Sequence, residues 1–355
     1  MNVLIIGLGY AGLRFQRAFE HLASRYPLQL AYCSRRRKHS SLPYYSNLKE
    51  ALQELQPEIV VVSANDIQHA NVLADLNGYR GFILCEKPML VPGDDLPGLA
   101  AGLRAASGFA LDLVERYSEA TALLKAMVQR EQWRLLRASF HWGKDRLNDY
   151  RPTCGVISEV IHALDLVSWI CPTHEPMRLH HAIGIDSDFS ISGDRVQDTV
   201  MFSAGLGAAT VAGYASFVNI HRQRTLDFSF ADPAGAIIHA RLEFDEPNWD
   251  VDHLRVWTRN AKGALVELEQ RHYSGSTDPA LATIVKLTRL CEDVLGQVAA
   301  GKPPRQPFAG LDTTIGLQTL LNDIHARSLS AAPVRYIVNG QRTLIPENAD
   351  LESLG

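Results

Sequence analysis

An α/β domain followed by an α+β domain is the fold class that this sequence predicts, and three observations carry it. The first half alternates short aliphatic runs with amphipathic stretches, a glycine-rich turn joins the first run to the first stretch, and from Trp133 onward longer alternating runs are joined by turn signals. A length of 355 residues accommodates two cores, since single domains mostly run to about 100–200 residues.

The aliphatic runs of the first half are Val3 to Ile6, Leu28 to Cys33, Ile59 to Val62, Phe82 to Cys85 and Phe109 to Val114. Helix-like stretches lie between them, at Ala11 to Ser24, Leu48 to Leu55, His69 to Asn77 and Leu96 to Ala106, with Pro57, Gly81 and Gly108 as punctuation. That alternation is what a parallel sheet covered by crossover helices requires. The strands expected next are Arg134 to Trp142, Met177 to Gly184, Asp198 to Ala204, Ala208 to Val218, Thr225 to Ala231, Ala236 to Phe244, Leu254 to Asn260 and Ala264 to His272. One helix, around Gly155 to Ile170, interrupts them. Asp232-Pro233-Ala234-Gly235 and Asn260-Ala261-Lys262-Gly263 read as hairpin turns between antiparallel strands. Two closing helices, Ala280 to Ala299 and Leu311 to Ser328, flank a Lys302-Pro303-Pro304 break. The expected domains are residues 1–120 and 121–355, with helix 311–328 free to pack back on the first.

Composition narrows the function classes. Hydrophobic content of 46% and charged content of 21% are globular values, and a net charge of -4 offers no basic face for nucleic acid. No stretch approaches the roughly 18 apolar residues of a membrane span, and the start lacks the basic n-region and cleavage site of a signal peptide. Five scattered cysteines without a C-x-x-C pair suggest neither a disulfide framework nor zinc, and fit a reducing cytoplasm. His180 and His181 adjoin in a strand-like run, where they would face opposite sides and serve one metal poorly; no metal is expected.

Gly7-Leu8-Gly9-Tyr10-Ala11-Gly12 is G-x-G-x-x-G after a strand and at the opening of a helix, the context of a Rossmann dinucleotide site. Gly7 allows the tight turn, Gly9 lets backbone approach a pyrophosphate, and Gly12 lets helix and strand pack closely. The amides from Tyr10 and Ala11 onward then meet phosphate charge at the helix N-terminus. An NAD-selective site places an acid at the end of the second strand, to bond the ribose 2′-hydroxyl. Here that position reads Cys33-Ser34-Arg35-Arg36-Arg37-Lys38. Ser34, Arg35 and Arg36 suit a 2′-phosphate, so NADP(H) is the expected cofactor; a solvated basic loop is the plainer alternative.

Cys85-Glu86-Lys87-Pro88 ends the next punctuated strand, and in a chain with this N-terminus it resembles the Gfo/Idh/MocA oxidoreductases. Further matches are Ala64-Asn65 followed by His69, then Glu115-Arg116-Tyr117, and the helix Gly155-Val156-Ile157-Ser158-Glu159-Val160-Ile161-His162-Ala163-Leu164-Asp165. The resemblance implies a second domain with an open, mostly antiparallel sheet whose outer face forms subunit contacts, hence a homodimer or homotetramer. It also implies NAD(P)-dependent oxidation or reduction of sugars, polyols, nucleotide-linked keto-sugars and, in some branches, imines or bilins. Ala64, Asn65, His69, Glu86, Lys87, Pro88 and Arg116 would then meet the cofactor.

By the same resemblance Lys87 gives or takes the proton of the reacting oxygen, which hydride transfer to a carbonyl carbon makes necessary, and Pro88 fixes the bend, with a cis bond as one route. His162 matches the family's catalytic histidine. The aspartate usually found four residues earlier is Ser158 here, which can donate a hydrogen bond but supplies no charge. Glu159 shares a helix face with His162 and could charge or orient it, and Asp165 extends that face as a substrate contact. In the polar segment 144–152, Lys144, Tyr150 and Arg151 are either substrate contacts or part of a solvated loop. The function expected is a ketoreductase acting on a sugar-like or polyhydroxylated small molecule. Reduction of an imine or another non-sugar C=N or C=C bond is one alternative, and a non-catalytic NADP-sensing protein is another.

Overall fold

A computed structural model describes residues 1–147, 149–328 and 333–337, in two compact units. One contains Met1–Val114 and Thr277–Gln318, and the other Glu115–Ser276 and the described residues from Thr319 onward.

The first unit is built on β1 (Asn2–Ile6), α1 (Tyr10–Leu22), β2 (Gln29–Cys33), β3 (Tyr44–Tyr45), α2 (Leu48–Leu55), β4 (Ile59–Val62), α3 (His69–Asp75), β5 (Phe82–Cys85), α4 (Leu96–Leu103) and β6 (Gly108–Leu111). Its six strands lie in the order β3-β2-β1-β4-β5-β6, every pair parallel. The continuous run Ile59-Val60-Val61-Val62 is wholly buried, as expected of a central parallel strand covered on both faces. Helix α1 buries Phe15, Ala18, Phe19 and Leu22, a stripe at helical spacing. β6 stops at Leu111, short of the expected Val114, because the Leu113 amide turns back to the Leu111 carbonyl at 2.8 Å. A 3-10 turn, Val114–Tyr117, follows.

The second unit begins with α5 (Glu119–Arg130), β7 (Arg134–Asp145) and α6 (Ile157–Ile170). Seven strands follow: β8 (Arg178–Ser187), β9 (Val196–Leu206), β10 (Ala209–Ser216), β11 (Val218–Ala231), β12 (Ile237–Glu243), β13 (Asp252–Arg259) and β14 (Leu265–Tyr273). The eight strands lie in the order β14-β13-β12-β11-β7-β10-β9-β8. Only β7 and β10 pair in parallel; the sheet is otherwise antiparallel. Both expected hairpins form, with Gly235 and Gly263 at positive φ closing the turns. α5 packs on β12, β13 and β14, and α6 on β7 and β9. The core between them holds Trp142, Phe228, Phe230, Leu242 and Leu254.

Along β10 and β11 the outer positions are Thr210, Ala212, Tyr214, Thr225 and Asp227, because the alternation places the larger apolar set inward. Exposed apolar side chains on strands of this sheet include Ile183, Met201 and Ile237. A register shift between Leu179 and His181 leaves both His180 and His181 exposed rather than on opposite faces, since a bulge interrupts the alternation.

Helix α7 (Val285–Ala300) packs against α1 in the first unit, and α8 (Leu311–Arg327) follows it. The Leu111 amide bonds the Ala309 carbonyl at 2.9 Å, and the Leu90 amide bonds Gln318 Oε1 at 3.2 Å. No helix among the described residues is long and apolar enough to cross a membrane.

Candidate active site

The turn between β1 and α1 is shaped by what its glycines must avoid. Gly7 has φ +92, and a Cβ there would lie 2.6 Å from Ala64 backbone; one on Gly12 would lie 2.1 Å from the Gly7 carbonyl oxygen. A Cβ on Gly9 would meet nothing within 4 Å. So the two outer glycines pack the turn, and the middle one leaves its backbone open. Gly9 is also the N-cap of α1, with no side-chain cap and no acid in the first turn. The amides from Tyr10, Ala11 and Gly12 are therefore available to an anion at the positive end of the helix dipole. Tyr10 and Ala11 are half-buried, and the Tyr10 hydroxyl accepts from Arg14 at 3.1 Å.

The basic turn after β2 is held by β3, an element that the sequence did not announce. Ser34 N–H bonds the Tyr45 carbonyl at 3.1 Å, and the Tyr44 hydroxyl donates to the Ser34 carbonyl at 3.2 Å. The Tyr32 hydroxyl accepts from the Lys38 amide at 3.0 Å, closing the loop. Ser34 Oγ donates to the Arg36 carbonyl at 2.5 Å, so its proton is engaged within the turn while its oxygen still accepts. Arg35 and Arg36 are exposed, with no ion-pair partner among the described residues.

At the carboxyl ends of β4 and β5, buried His69 ties two loops together. One ring nitrogen lies 2.7 Å from the Pro88 carbonyl oxygen and the other 3.0 Å from that of Ala64. The Asn65 side chain accepts from the Ile67 amide at 3.1 Å, capping the short turn that leads to His69. The Lys87–Pro88 peptide is cis. Glu86 continues the sheet, its amide bonding the Val62 carbonyl at 2.8 Å, and its carboxylate accepts from the Lys87 amide at 3.0 Å. Asp112, which follows the neighbouring strand β6, is 7% exposed and stands next to Glu86 across the ladder. Burial first, then the Glu86 charge, holds the Asp112 carboxyl well above its ordinary range.

In the second unit Ser158, Glu159, His162 and Asp165 lie on α6, whose residues from Ile157 to Val167 are all buried. His162 stacks on Trp142 with ring centroids 5.7 Å apart and planes at 16°. Glu159 accepts from Lys144 at 2.8 Å and lies 3.6 Å from Arg224, so its charge is shared with those two cations. Ser158 donates its hydroxyl proton to the Gly155 carbonyl at 2.9 Å. Asp165 and Arg116, expected on substrate and cofactor respectively, form a bidentate pair, with Nε to Oδ2 at 2.7 Å. Both are buried, at 1% and 4% exposure. Arg151 is bidentate to Asp149, which Arg146 also contacts at 2.7 Å. Burial alone would raise the Asp149 carboxyl, but the Arg151 hydrogen bonds and both arginine charges outweigh it and hold the pKa at about 2. Tyr150 is half-buried beside this pair.

Sequence reasoning missed Arg224. It is 5% exposed, lies 3.5 Å from Glu115, pairs with Asp245, and sits over the rings of Trp142 and Trp249 at 5.4 and 5.2 Å. A polar cavity of about 460 Å³ opens beside it, lined by Arg222, Gln223, Glu243, Asp245 and Glu246, a size that suits a small molecule. The available signal was the alternation of β11, which turns Arg224 inward with Leu226 and Phe228; an inward arginine needs buried carboxylates.

Residues 1–107 match the family model described as the oxidoreductase family with an NAD-binding Rossmann fold. Those residues carry the NAD-binding Rossmann part of the Gfo/Idh/MocA oxidoreductases. No functionally curated protein matches it by sequence. Among solved structures, UDP-N-acetylglucosamine 3-dehydrogenase from Acidithiobacillus ferrooxidans is similar over 92% of this chain and 97% of its own, at 17% identity and a TM-score of 0.69. A 3-ketoreductase from Actinomadura kijaniata, solved with NADP and TDP-benzene, covers 95% of this chain and 99% of its own, at 11% identity and a TM-score of 0.70. The super-repressor mutant of Gal80p from Saccharomyces cerevisiae covers 92% and 95%, at 14% identity and a TM-score of 0.67. At identities this low the likeness shows a shared fold.

Proposed function

We propose that this protein is an NADP(H)-dependent Gfo/Idh/MocA ketoreductase acting on a carbonyl or carbinol carbon of a sugar-like, polyhydroxylated small molecule in a reducing cytoplasm. The observation that carries the reading is the open Gly9 backbone at an uncapped helix N-terminus, in the same unit as an acid-free strand end bearing Arg35 and Arg36. The glycine cradle fits a dinucleotide pyrophosphate, and the exposed arginines fit a 2′-phosphate. When bound, the nicotinamide supplies or accepts a hydride. Lys87 holds the proton for the substrate oxygen at Nζ, in a turn fixed by Glu86 and His69. His162, braced on Trp142, orients the reacting oxygen, with Lys144 and Glu159 at the same helix. Arg116 and Asp165 anchor that helix by their mutual pair, and Ser158 stabilises its first turn. The polar cavity beside Arg224 supports a hydroxyl-rich substrate, as does the likeness to a UDP-N-acetylglucosamine 3-dehydrogenase.

A sensor that holds NADP without turnover is the second reading, supported by the repressor among the structural neighbours. Spectroscopic assay of NADPH consumption over a panel of free and nucleotide-linked keto-sugars separates the two. Turnover is expected on at least one member, and Lys87→Ala is expected to keep NADPH affinity while lowering turnover about 10²–10⁴-fold, the contribution of a positioned general acid. Tight NADPH binding without consumption on any member would favour the sensor, and a Lys87→Ala protein at full turnover would remove Lys87 from the chemistry.

A further inference from the structure

Two carboxyl groups, those of Glu86 and Asp112, stand at the strand ends beside Lys87. β5 and β6 run parallel with Cys85 opposite Leu111, so the next residues, Glu86 and Asp112, leave the sheet side by side. The Asp112 amide bonds the Cys85 carbonyl at 2.7 Å, which extends the ladder one residue past the strand and fixes where Asp112 stands. The two carboxyl groups stand within each other's field, the Glu86 charge opposing ionisation of Asp112. Two ionised carboxylates are both acceptors only, so neighbours of this kind can join by a hydrogen bond only when one of them holds a proton. Asp112 Oδ1 is buried with no hydrogen-bond partner among the described residues. An ionised group would leave an uncompensated charge on that oxygen, whereas a protonated one leaves a neutral carbonyl.

We propose that Asp112 is a positioning residue for Lys87: it carries a proton at neutral pH and donates it to Glu86, whose carboxylate in turn receives the Lys87 amide. The role assigned to Lys87 rests on the function proposed above, while the shared proton does not. Lys87 and, from α1, Arg14 favour the ionised form of Asp112, and burial and Glu86 oppose it more strongly. Two buried thiols also face the pair: Cys85 on β5, raised first by burial and then by Glu86 and Asp112, and Cys291 on α7, raised first by burial and then by Asp112. The pair therefore presents one negative charge, and losing the shared proton would set two carboxylates against each other and loosen the turn that carries Lys87.

The test uses the full chain, its Asp112→Asn variant, and no substrate. Asparagine keeps a donor for Glu86 without a titrating proton, so the fold is retained. Infrared spectra at neutral pH are expected to show a protonated-carboxyl C=O stretch in the unmodified chain that Asp112→Asn lacks, and that fades as pH rises. Reductive methylation of Lys87, followed by peptide mass spectrometry, is expected to change rate across that same fade and to show no such step in Asp112→Asn. A raised carboxyl binds a proton when folded that the unfolded chain releases above its ordinary 3.8, so its stabilisation is full below that value and is lost as pH rises. The melting temperature of the unmodified chain should accordingly fall relative to Asp112→Asn as pH rises from there. Absence of the carboxyl band, or identical Lys87 methylation profiles in the two proteins, would overturn the proposal. Neither outcome depends on whether the chain turns over a keto-sugar.

Discussion

Arg35 and Arg36 stand exposed at the end of β2, with no ion-pair partner among the described residues, and the proposed cofactor choice is tested at that spot. A 2′-phosphate gains charge-assisted hydrogen bonds from guanidinium groups, whereas a 2′-hydroxyl has no carboxylate there to receive its proton. Fluorescence titration is expected to show tighter binding of NADPH than of NADH, and Arg35→Ala to narrow the gap by about 1.5–3 kcal/mol. Equal affinity for both cofactors in the unmodified protein would contradict this. Ser34→Asp is expected to shift preference toward NADH by repelling the phosphate. At this scale the basic turn was legible because it is the one short basic run in the chain. The engagement of Ser34 with the Arg36 carbonyl was not, because a hydroxyl's partner depends on turn geometry. Asp112 was likewise hidden, since it reads as one more residue of an aliphatic run whose actual end is set by a backbone turn at Leu113.

Elements separate the packing role of the glycine turn from its ligand role. Gly12→Ala places a Cβ 2.1 Å from the Gly7 carbonyl oxygen, and neither that backbone nor the strand behind it yields readily. The expected cost is about 1–3 kcal/mol of stability, together with weaker NADPH binding as α1 is displaced. Gly9→Ala adds a methyl that meets nothing within 4 Å, so its melting temperature should match the unmodified protein while NADPH affinity falls. If Gly9→Ala bound NADPH normally, the open backbone would not be a phosphate site. The parallel strands were legible because each is a bounded apolar run, and the hairpins because Asp232 to Gly235 and Asn260 to Gly263 carry their own turn chemistry. Less accessible were β3, two tyrosines without a run around them, and the return of residues 277–318 to the first unit. That return depends on an apolar stripe of α7 finding α1, and amphipathic periodicity announces a buried face without naming its partner. The same limit applied to α6: its motif named His162 and Glu159, but the partners Trp142, Lys144 and Arg224 come from β7 and β11, fixed by register.

For the whole molecule, the eight-stranded sheet covers one face with α5 and α6 and leaves a continuous row on the other. Ile183 pairs with Met201, Met201 with Tyr214, and Tyr214 with His141, across β8, β9, β10 and β7. Ile183 and Met201 are 47% and 40% exposed, and Tyr214 and His141 lie in contact with ring centroids 4.4 Å apart. Exposed apolar side chains gathered on a flat sheet face mark an interface more often than scattered ones do, and a second copy of the same face is the simplest complement, since a two-fold contact matches a patch with itself. Sedimentation is therefore expected to show a dimer or tetramer at micromolar concentration. Introducing charge at the paired positions, with Met201→Glu and Ile183→Asp together, should shift the species to monomer, because each copy would bury two unpaired carboxylates in the contact. NADPH affinity should be unchanged in that variant, since the row belongs to the second unit and the glycine turn to the first. A monomer for the unmodified chain would overturn the interface, and an unaltered oligomer in the double variant would move it off this row.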